Sequence, residues 1–396
     1  MATEALPLNQ PQEQTFETVH VAPIVGAHFV NDLYTAFVAP LLPVIIEKLS
    51  LSLTAAGSLT AILQLPAVLN PFIGYLADRI SLRYFVIFAP AVTATFISMI
   101  GFANSYLALA LLFFATGISV AAFHAPAPAM IARVSGRQVG LGMSLFMAGG
   151  ELARTLGPII AVWAVSLWGL DGIYRLVIPG WVTSLILLWG LRGIPANPAR
   201  ASSLAGLKPA LRSLFLPLLV IVFFRNFMLD SLVTYLPTYM NMQGASLWLA
   251  GAALSILELA GVGGALLSGP LSDRSGRKLI LLAATLVSSL LMLLFLQVSG
   301  WWIVPVLLLL GFTALSTGPV MLAIVQDQLP EHRAMGNGLY MTISFLIRPV
   351  AILAIGAIGD RAGLQSAYFW SALISLLAIP AILALPGPLR QTTIIN

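Results

Sequence analysis

A histidine and an aspartate four residues apart, His28 and Asp32, stand in the first long apolar segment of this chain. At that spacing both side chains lie on one face of a helix, and Asn31 lies beside the aspartate. A carboxylate next to an imidazole, partly removed from water, can have its proton affinity moved toward the working pH. The pair therefore predicts a proton carrier; the alternative is a polar pair that only holds its helix against its neighbours.

Six further charged residues lie inside apolar segments, where a charge is costly and is by default a functional hypothesis. They are Glu151, Arg154, Arg225, Asp230, Glu258 and Arg348. Glu151 and Arg154 are three residues apart, so they can form a local ion pair, and both a structural role and a role in proton coupling are open. Arg154 also suits an anionic substrate group, because a guanidinium matches a carboxylate or phosphonate. Glu258 stands alone in the apolar run 252–267 and is a candidate proton site.

Arg225 and Asp230 are five residues apart, a spacing poorly suited to a mutual pair, so we expect either to look across a cavity. Arg348 is another candidate for holding an organic anion. His124 precedes two prolines, which kink a helix or free its carbonyls where the backbone lines a cavity. We therefore interpret His124 as a cavity residue rather than a packing residue.

The elements that must position these residues are membrane helices. The chain is 59% hydrophobic and 8% charged, whereas soluble chains are about a quarter charged. Apolar segments long enough to cross a bilayer core of roughly 30 Å recur along it. The absence of cysteine excludes disulfides, thiolate metal sites and cysteine nucleophiles. We expect a polytopic all-α membrane protein in a lipid bilayer, with no metal, no other cofactor and no nucleic-acid partner.

Twelve apolar segments are predicted, in two sets of six. The spans are 19–46, 54–77, 84–103, 105–132, 139–168, 173–191, 215–241, 247–271, 279–298, 301–328, 334–358 and 363–386. The predicted organisation is an N-terminal tail at 1–18, a six-helix half at 19–192, a linker at 193–214, a second six-helix half at 215–386 and a C-terminal tail at 387–396. The polar start does not resemble a cleavable secretion signal.

Basic residues predict the orientation. With both termini and the linker in the cytoplasm, thirteen Lys and Arg residues fall in cytoplasmic segments and three fall outside. Basic residues are enriched in cytoplasmic loops, so the tails and the linker are expected to be cytoplasmic. The three outside residues are Lys48, Arg175 and Arg361.

Two short charged segments lie 195 residues apart, each between two apolar segments. The first contains Gly74, Asp78, Arg79 and Arg83, and the second contains Gly269, Asp273, Arg274, Gly276 and Arg277. They are the same inter-helix loop in two halves of a duplicated protein. Duplicated helical bundles with a substrate site near the midplane are the plan of secondary transporters.

These loops resemble the hallmark of the major facilitator superfamily, Gly-x-x-x-Asp-Arg-x-Gly-Arg-Arg/Lys. The second copy fits better, because Ser81 and Leu82 depart from the pattern in the first. Within the superfamily the chain is similar to the fosmidomycin-resistance-type drug exporters. The residues that carry this likeness are Gly26-Ala-His28-Phe-Val-Asn31-Asp32, Phe123-His124, and the run from Gly140 through Phe146, Gly149 and Gly150 to Gly157-Pro158.

The resemblance implies how these residues act. In this family the first, fourth, seventh and tenth helices usually line the cavity, which favours the proton-carrier interpretation of Asp32 and His28. Asn31, His124, Arg154, Arg225, Arg348 and Phe146 are then candidates for the substrate cavity, and Glu151, Asp230 and Glu258 for proton coupling. The two charged loops would form a conformational latch, in which Asp78 or Asp273 accepts from the N-terminus of a neighbouring helix and stabilises the outward-open state.

The predicted function is a proton-coupled exporter of small amphipathic or drug-like molecules. It would act as a monomer by alternating access in a bacterial inner membrane. The proton gradient would supply the energy, with protons neutralising Asp32 or another cavity acid. The alternative is a proton-linked importer of an organic anion, bound by Arg154, Arg225 or Arg348. A membrane enzyme is disfavoured, since the chain has no HExxH sequence and no nucleophile elbow.

Overall fold

The structure, a computed structural model, describes residues 15–70, 72–73, 83–191, 211–329 and 333–386. These residues are almost entirely helical and contain no strand. The first half comprises α1 Thr18–Thr35, α2 Val38–Leu49, α3 Leu53–Gln64, α4 Arg83–Ser98, α5 Tyr106–His124, α6 Ala127–Val134, α7 Val139–Gly172 and α8 Val177–Gly190. The second half comprises α9 Leu216–Met242, α10 Leu247–Ser275, α11 Arg277–Phe295, α12 Ile303–Ala314, α13 Thr317–Gln328, α14 Arg333–Leu376 and α15 Ile379–Ala384.

Nine helices in the described part of the chain are long and apolar enough to cross a membrane. Two of them, 52 and 47 residues long, exceed the length of about 20 residues that one crossing needs. Each is interrupted by a glycine with a positive φ, Gly169 at 70° and Gly363 at 81°, a conformation that side chains with a Cβ rarely adopt. The polytopic helical fold is therefore confirmed, whereas the count of twelve crossings and the domain boundaries stay predictions.

Three crossings are broken near their middle, between α1 and α2, α5 and α6, and α12 and α13. A proline follows each break, at Pro40, Pro128 and Pro319. Because proline lacks an N–H and its ring crowds the carbonyl four residues earlier, a regular helix cannot continue through these points. The predicted kink after His124 is confirmed. Each break leaves carbonyl groups that side chains of neighbouring helices can use.

The two halves meet at one end of the bundle. This far end contains the turn between α2 and α3 and the kink of α14 at Gly363. There α3 of the first half packs along α14 of the second, α7 packs along α10, and α2 packs along α9. The Tyr235 hydroxyl lies 3.1 Å from the carbonyl oxygens of both Leu53 and Ile352. The far end is thus closed by direct contact between the halves.

Candidate substrate and ion site

The Asp32 carboxylate lies between two imidazole rings. Its Oδ2 atom is 3.2 Å from Nε2 of His28, and its Oδ1 atom is 3.2 Å from Nε2 of His124. The predicted proximity of His28 and Asp32 on one helix face is confirmed. His124 joins them because it is the last residue of α5, at the helix break. The structure therefore assembles a three-residue cluster from two crossings, referred to below as the His–Asp–His cluster.

Backbone carbonyls fix the orientation of both imidazole rings. His28 Nδ1 donates to the Phe146 carbonyl at 2.7 Å, and His124 Nδ1 donates to the Val120 carbonyl at 3.0 Å. The rings of His28 and Phe146 are also stacked, with centroids 3.9 Å apart. Both Nε2 atoms are consequently aimed at Asp32. A Cβ at Gly150 would lie 2.7 Å from His28 Cε1, so a glycine is needed where α7 passes this cluster.

Two residues predicted to line the substrate cavity are buried. Asn31 is fully buried; its Nδ2 donates to Asp32 Oδ1 at 3.3 Å, and its Oδ1 accepts from Thr93 at 2.9 Å. Phe146 is 2% exposed and covers the His28 ring. In this conformation both residues position the His–Asp–His cluster, and a direct substrate contact at either stays a prediction.

A second charged cluster joins the two halves through residues of α7 and α10. Arg154 Nη2 donates to Glu151 Oε1, which confirms the predicted local pair. Arg154 Nε also lies 3.9 Å from Oε2 of Glu258 on α10. The sequence interpretation of Glu258 as an isolated carboxylate is therefore wrong, because its partner comes from the other half. The Arg154 side chain is 45% exposed and that of Glu258 is 7% exposed, so the guanidinium faces the space between the halves.

A third ion pair lies within the second half. Arg348 Nε donates to Asp230 Oδ1 at 2.9 Å, joining α14 to α9. The Asp230 side chain is 1% exposed and that of Arg348 is 35% exposed. The carboxylate therefore anchors a guanidinium whose other N–H groups are partly accessible. Asp230 was expected to look across a cavity; instead it has a firm partner in its own half.

The prediction that Arg225 looks across a cavity is wrong. Arg225 is fully buried, and its guanidinium donates to Thr285 Oγ1 at 2.5 Å and to the Ala314 carbonyl at 3.0 Å. Ala314 is the last residue of α12, so its carbonyl belongs to the negative end of a broken helix, where a cation is stabilised. The two halves thus share a pattern, in which a side chain of the first crossing contacts the break in the fourth crossing. In the first half Asp32 contacts His124, and in the second half Arg225 contacts the Ala314 carbonyl.

The two predicted latch loops are described unequally. Gly74, Asp78 and Arg79 lie outside the described residues, whereas Arg83 begins α4. In the second loop Gly276 has φ of 93° between α10 and α11, and Gly269 and Arg274 belong to α10. Asp273 contacts the guanidinium of Arg277 at 2.6 Å, and Asp327 of α13 contacts it at 3.1 Å. The second loop therefore centres on Arg277 and includes Asp327, which the sequence did not predict.

A contact at the far end was not predicted either. The Asp360 carboxylate accepts from the backbone N–H groups of Leu53 at 2.7 Å and Thr54 at 2.9 Å, and from the Thr54 hydroxyl at 2.5 Å. It thus caps the N-terminus of α3 from the other half. Asp360 is an exposed residue of α14, three residues before the kink at Gly363, and lies between the predicted spans 334–358 and 363–386. Slight burial raises the pKa of Asp360, but the hydrogen bonds from Thr54 and Leu53 outweigh it and hold that pKa below its usual range.

A duplicated helical bundle is the arrangement of secondary transporters, and sequence comparison agrees with it. A profile of the Major Facilitator Superfamily matches residues 24–352 and, in a second alignment, residues 264–394. The chain belongs to the Major Facilitator Superfamily.

Two superfamily relatives match nearly end to end. The Fosmidomycin resistance protein of Escherichia coli is 24% identical over 371 residues, covering 90% of this chain and 91% of that one. An uncharacterized MFS-type transporter of Bacillus subtilis is 24% identical over 377 residues, covering 91% of each.

Solved structures of superfamily transporters share the fold. A bacterial homologue of the human lysosomal transporter Spinster, in an inward-facing and occupied conformation, superimposes with a TM-score of 0.77 at 15% identity. The similarity covers 93% of this chain and 97% of that one. A D-xylose–proton symporter superimposes with a TM-score of 0.75 at 17% identity, covering 94% and 98%. These similarities establish a multi-pass Major Facilitator transporter fold.

Proposed function

We propose that this protein is a proton-coupled exporter of small amphipathic or drug-like molecules, working by alternating access in a bacterial inner membrane. The observation that carries the proposal is the ion pair between Arg154 of the first half and Glu258 of the second. The fosmidomycin resistance protein of Escherichia coli, to which the chain is similar over almost its whole length, supports efflux as the direction. Both termini would lie in the cytoplasm, so the far end would face outward.

Proton coupling needs a titratable group whose surroundings differ between the two transport states, because a ligand shifts an equilibrium only through differential affinity. Glu258 meets this requirement, since its cationic partner belongs to the half that must move. The partners of Asp32 and Asp230 belong to their own halves. We therefore assign coupling to Glu258 in place of Asp32, the first choice from the sequence, and keep Glu151 as the residue that holds Arg154.

The charges at this pair set the order of events. In the proposed cycle, Glu258 would release its proton toward the cytoplasm while the far end is closed, and its carboxylate would then be bound to Arg154. A substrate entering from the cytoplasm would contact the exposed guanidinium of Arg154 and weaken its attraction to Glu258. The halves then separate at the far end, and Glu258 takes up a proton there as the substrate leaves. Inward movement of the proton thereby drives outward movement of the substrate.

The test uses reconstituted vesicles with an imposed pH gradient, together with fosmidomycin susceptibility of cells that express the protein. We expect the wild type to move protons in response to substrate and to lower susceptibility. Glu258→Gln should abolish proton-driven transport, while downhill exchange of substrate persists. Glu47→Gln is the matched control, because that glutamate is exposed at the end of α2. Full proton coupling in Glu258→Gln would refute the assignment.

One observation favours a second candidate, a proton-linked importer of an organic anion. Arg154 and Arg348 both present partly exposed guanidinium groups, each anchored by an acidic residue. Such groups suit a carboxylate or phosphonate. If expression leaves drug susceptibility unchanged and instead supports uptake of an organic acid that Arg348→Gln abolishes, the importer is the correct function.

A further inference from the structure

The His–Asp–His cluster has no part in the coupling scheme above. Its three residues, His28, Asp32 and His124, each offer one ligand atom, and these atoms all lie within 4.8 Å of one another. The His28 side chain is 5% exposed and that of Asp32 is 13% exposed. The sequence predicted no metal, because His124 becomes a neighbour of the other two only when α5 packs against α1.

The hydrogen bonds of the two rings leave neutral imidazoles with only acceptors facing Asp32. In each neutral imidazole one ring nitrogen donates and the other accepts, and both Nδ1 atoms already donate to carbonyls, of Phe146 and Val120. Both Nε2 atoms therefore present lone pairs to Asp32, whose ionised carboxylate also only accepts. At 3.2 Å, each Nε2 lone pair and the carboxylate oxygen facing it repel each other unless a cation or a proton lies between them.

The distances suit a metal ion. Zn²⁺ binds imidazole nitrogen and carboxylate oxygen at about 2.0–2.2 Å, so neighbouring ligands in a tetrahedral site lie about 3.3 Å apart. The two observed separations are 3.2 Å, one to each oxygen of the Asp32 carboxylate. One ligand atom from each of the three residues lies within 4.8 Å of the other two, so small side-chain shifts would bring all three to one ion. Histidine ligands of metals also usually donate their second ring N–H to a carbonyl or carboxylate, as His28 and His124 do.

We propose that His28, Asp32 and His124 bind one divalent transition-metal cation of the Zn²⁺ class. The donor set of two nitrogens and one oxygen suits borderline transition metals better than Mg²⁺ or Ca²⁺, which prefer oxygen ligands. The ion enters from the side of His124, whose side chain is 31% exposed, and water completes its coordination there. Because the ligands come from α1 and α5, the bound ion ties these two helices together.

Metal binding is testable without any transport assay, so its failure would leave the proposed function intact. The full-length protein is purified without a polyhistidine tag, stripped with chelator and titrated with Zn²⁺ by calorimetry and with Co²⁺ by visible absorption. We expect one site per chain and a Co²⁺ spectrum of low coordination number. His28→Gln and His124→Gln should each weaken binding at least about tenfold, the lower end of the effect of altering even the supporting shell of a metal site.

His20→Gln is the matched control, because it removes an imidazole that pairs with an exposed carboxylate, Glu17, at 2.6 Å. It should bind Zn²⁺ as tightly as the wild type. X-ray absorption on the Zn²⁺-loaded wild type provides a measurement that needs no variant to fold, and it should show two imidazole ligands. A spectrum without imidazole, or equal affinity in His28→Gln, His124→Gln and the wild type, would overturn the proposal.

Discussion

Arg154 Nε of the first half lies 3.9 Å from Glu258 Oε2 of the second half, while Glu151 holds the same guanidinium from within the first half. The Arg154 guanidinium is therefore shared between Glu151, which belongs to the same half, and Glu258, which belongs to the other half. Loss of the Glu258 charge leaves Arg154 paired but removes an electrostatic link between the halves. In the proposed transport cycle, protonation of Glu258 would remove this link between the halves.

Glu258→Gln should open the far end more often. A pair about 4 Å apart is worth about 4 kcal/mol at an effective dielectric constant of 20, and the partial exposure of Arg154 reduces this toward about 1 kcal/mol. Since about 1.4 kcal/mol is a tenfold change in an equilibrium constant, the ratio of open to closed molecules should rise between about fivefold and several hundredfold. The natural absence of cysteine permits spin labels at Asn104→Cys and Ser299→Cys, which occupy equivalent exposed loops.

Pulsed electron resonance then measures the distance between the two labels. The longer distance should become more populated in Glu258→Gln and remain at the wild-type level in Glu47→Gln. Identical distance distributions in all three proteins would show that the Arg154–Glu258 pair does not hold the halves together.

Asp360→Asn should also open the far end, through a different contact. The carboxylate caps the N-terminus of α3 with three hydrogen bonds, and a cap is worth about 1 kcal/mol. Because the pKa of Asp360 is lowered by these bonds, the contact is fully present above the unperturbed value near about 4 and is lost as pH falls through the lowered one. Acidifying from about pH 7.5 to 5.5 should therefore leave it intact, whereas Asp360→Asn weakens it at both pH values.

The same spin-label pair checks this prediction, with Asp171→Asn as control, since Asp171 pairs with Lys48 inside the first half. The prediction would be disproved if acidification to about pH 5.5 opened the far end of the wild type as much as Asp360→Asn does. Acidification would also have to open Glu258→Gln, since this excludes titration of Glu258 as the cause.

Gly57 lies where the two halves meet, and its lack of a side chain allows their close contact. A Cβ there would collide with the Tyr235 hydroxyl and lie 3.0 Å from Ile352 Cγ2. Gly57→Ala should disfavour closure of the far end by about 1–3 kcal/mol, the usual cost of overpacking. Tyr235→Phe removes the colliding oxygen, but it also removes the hydrogen bonds to Leu53 and Ile352 that help to close the far end. The loss of closure caused by Gly57→Ala should therefore be smaller when it is measured against Tyr235→Phe than when it is measured against the wild type.

The spin-label distance again reports closure, and Gly140→Ala is the control, because a Cβ at Gly140 meets no atom within 4 Å. An equal loss of closure from Gly57→Ala in the wild type and in Tyr235→Phe would contradict the assigned collision.

Arg225→Gln should lower stability and leave coupling unchanged. The guanidinium is fully buried and bonds to Thr285 and to the Ala314 carbonyl, and each hydrogen bond to a charged group is worth about 1.5–3 kcal/mol. We expect a lower unfolding temperature, measured by thermal denaturation in detergent, with an unchanged ratio of protons to substrate. A changed ratio at wild-type stability would return Arg225 to the list of coupling residues.

Helix periodicity accounts for what the sequence predicted correctly. The pairs His28–Asp32 and Glu151–Arg154 lie within single helices, so their spacing determines their contact. Contacts between helices depend on packing that spacing does not encode. Thus Glu258, which stands alone in its apolar segment, contacts Arg154 of another helix. Arg225 donates to the Ala314 carbonyl, which is accessible because α12 ends at that residue.

Function could be predicted from the sequence only to the level of the superfamily. The duplicated loops and the charge distribution indicated a secondary transporter, and the profile match agrees. The roles of single carboxylates depend on which half supplies each partner. That information arises from the packing of α7 against α10, and no residue pattern within either helix contains it.

Arg277 should be the most sensitive residue of the second latch loop. Its guanidinium contacts Asp273 through Nη1 at 2.6 Å and Asp327 through Nε at 3.1 Å, and the single Nζ of a lysine does not reproduce these two separate donors. Arg277→Lys should therefore reduce transport about as much as Asp273→Asn and Asp327→Asn combined, while the neighbouring Lys278→Arg serves as control. Initial rates in the same vesicles measure the effect. If Arg277→Lys transports at the wild-type rate while Asp273→Asn does not, Asp273 acts through a helix N-terminus, as the family resemblance implies, and not through Arg277.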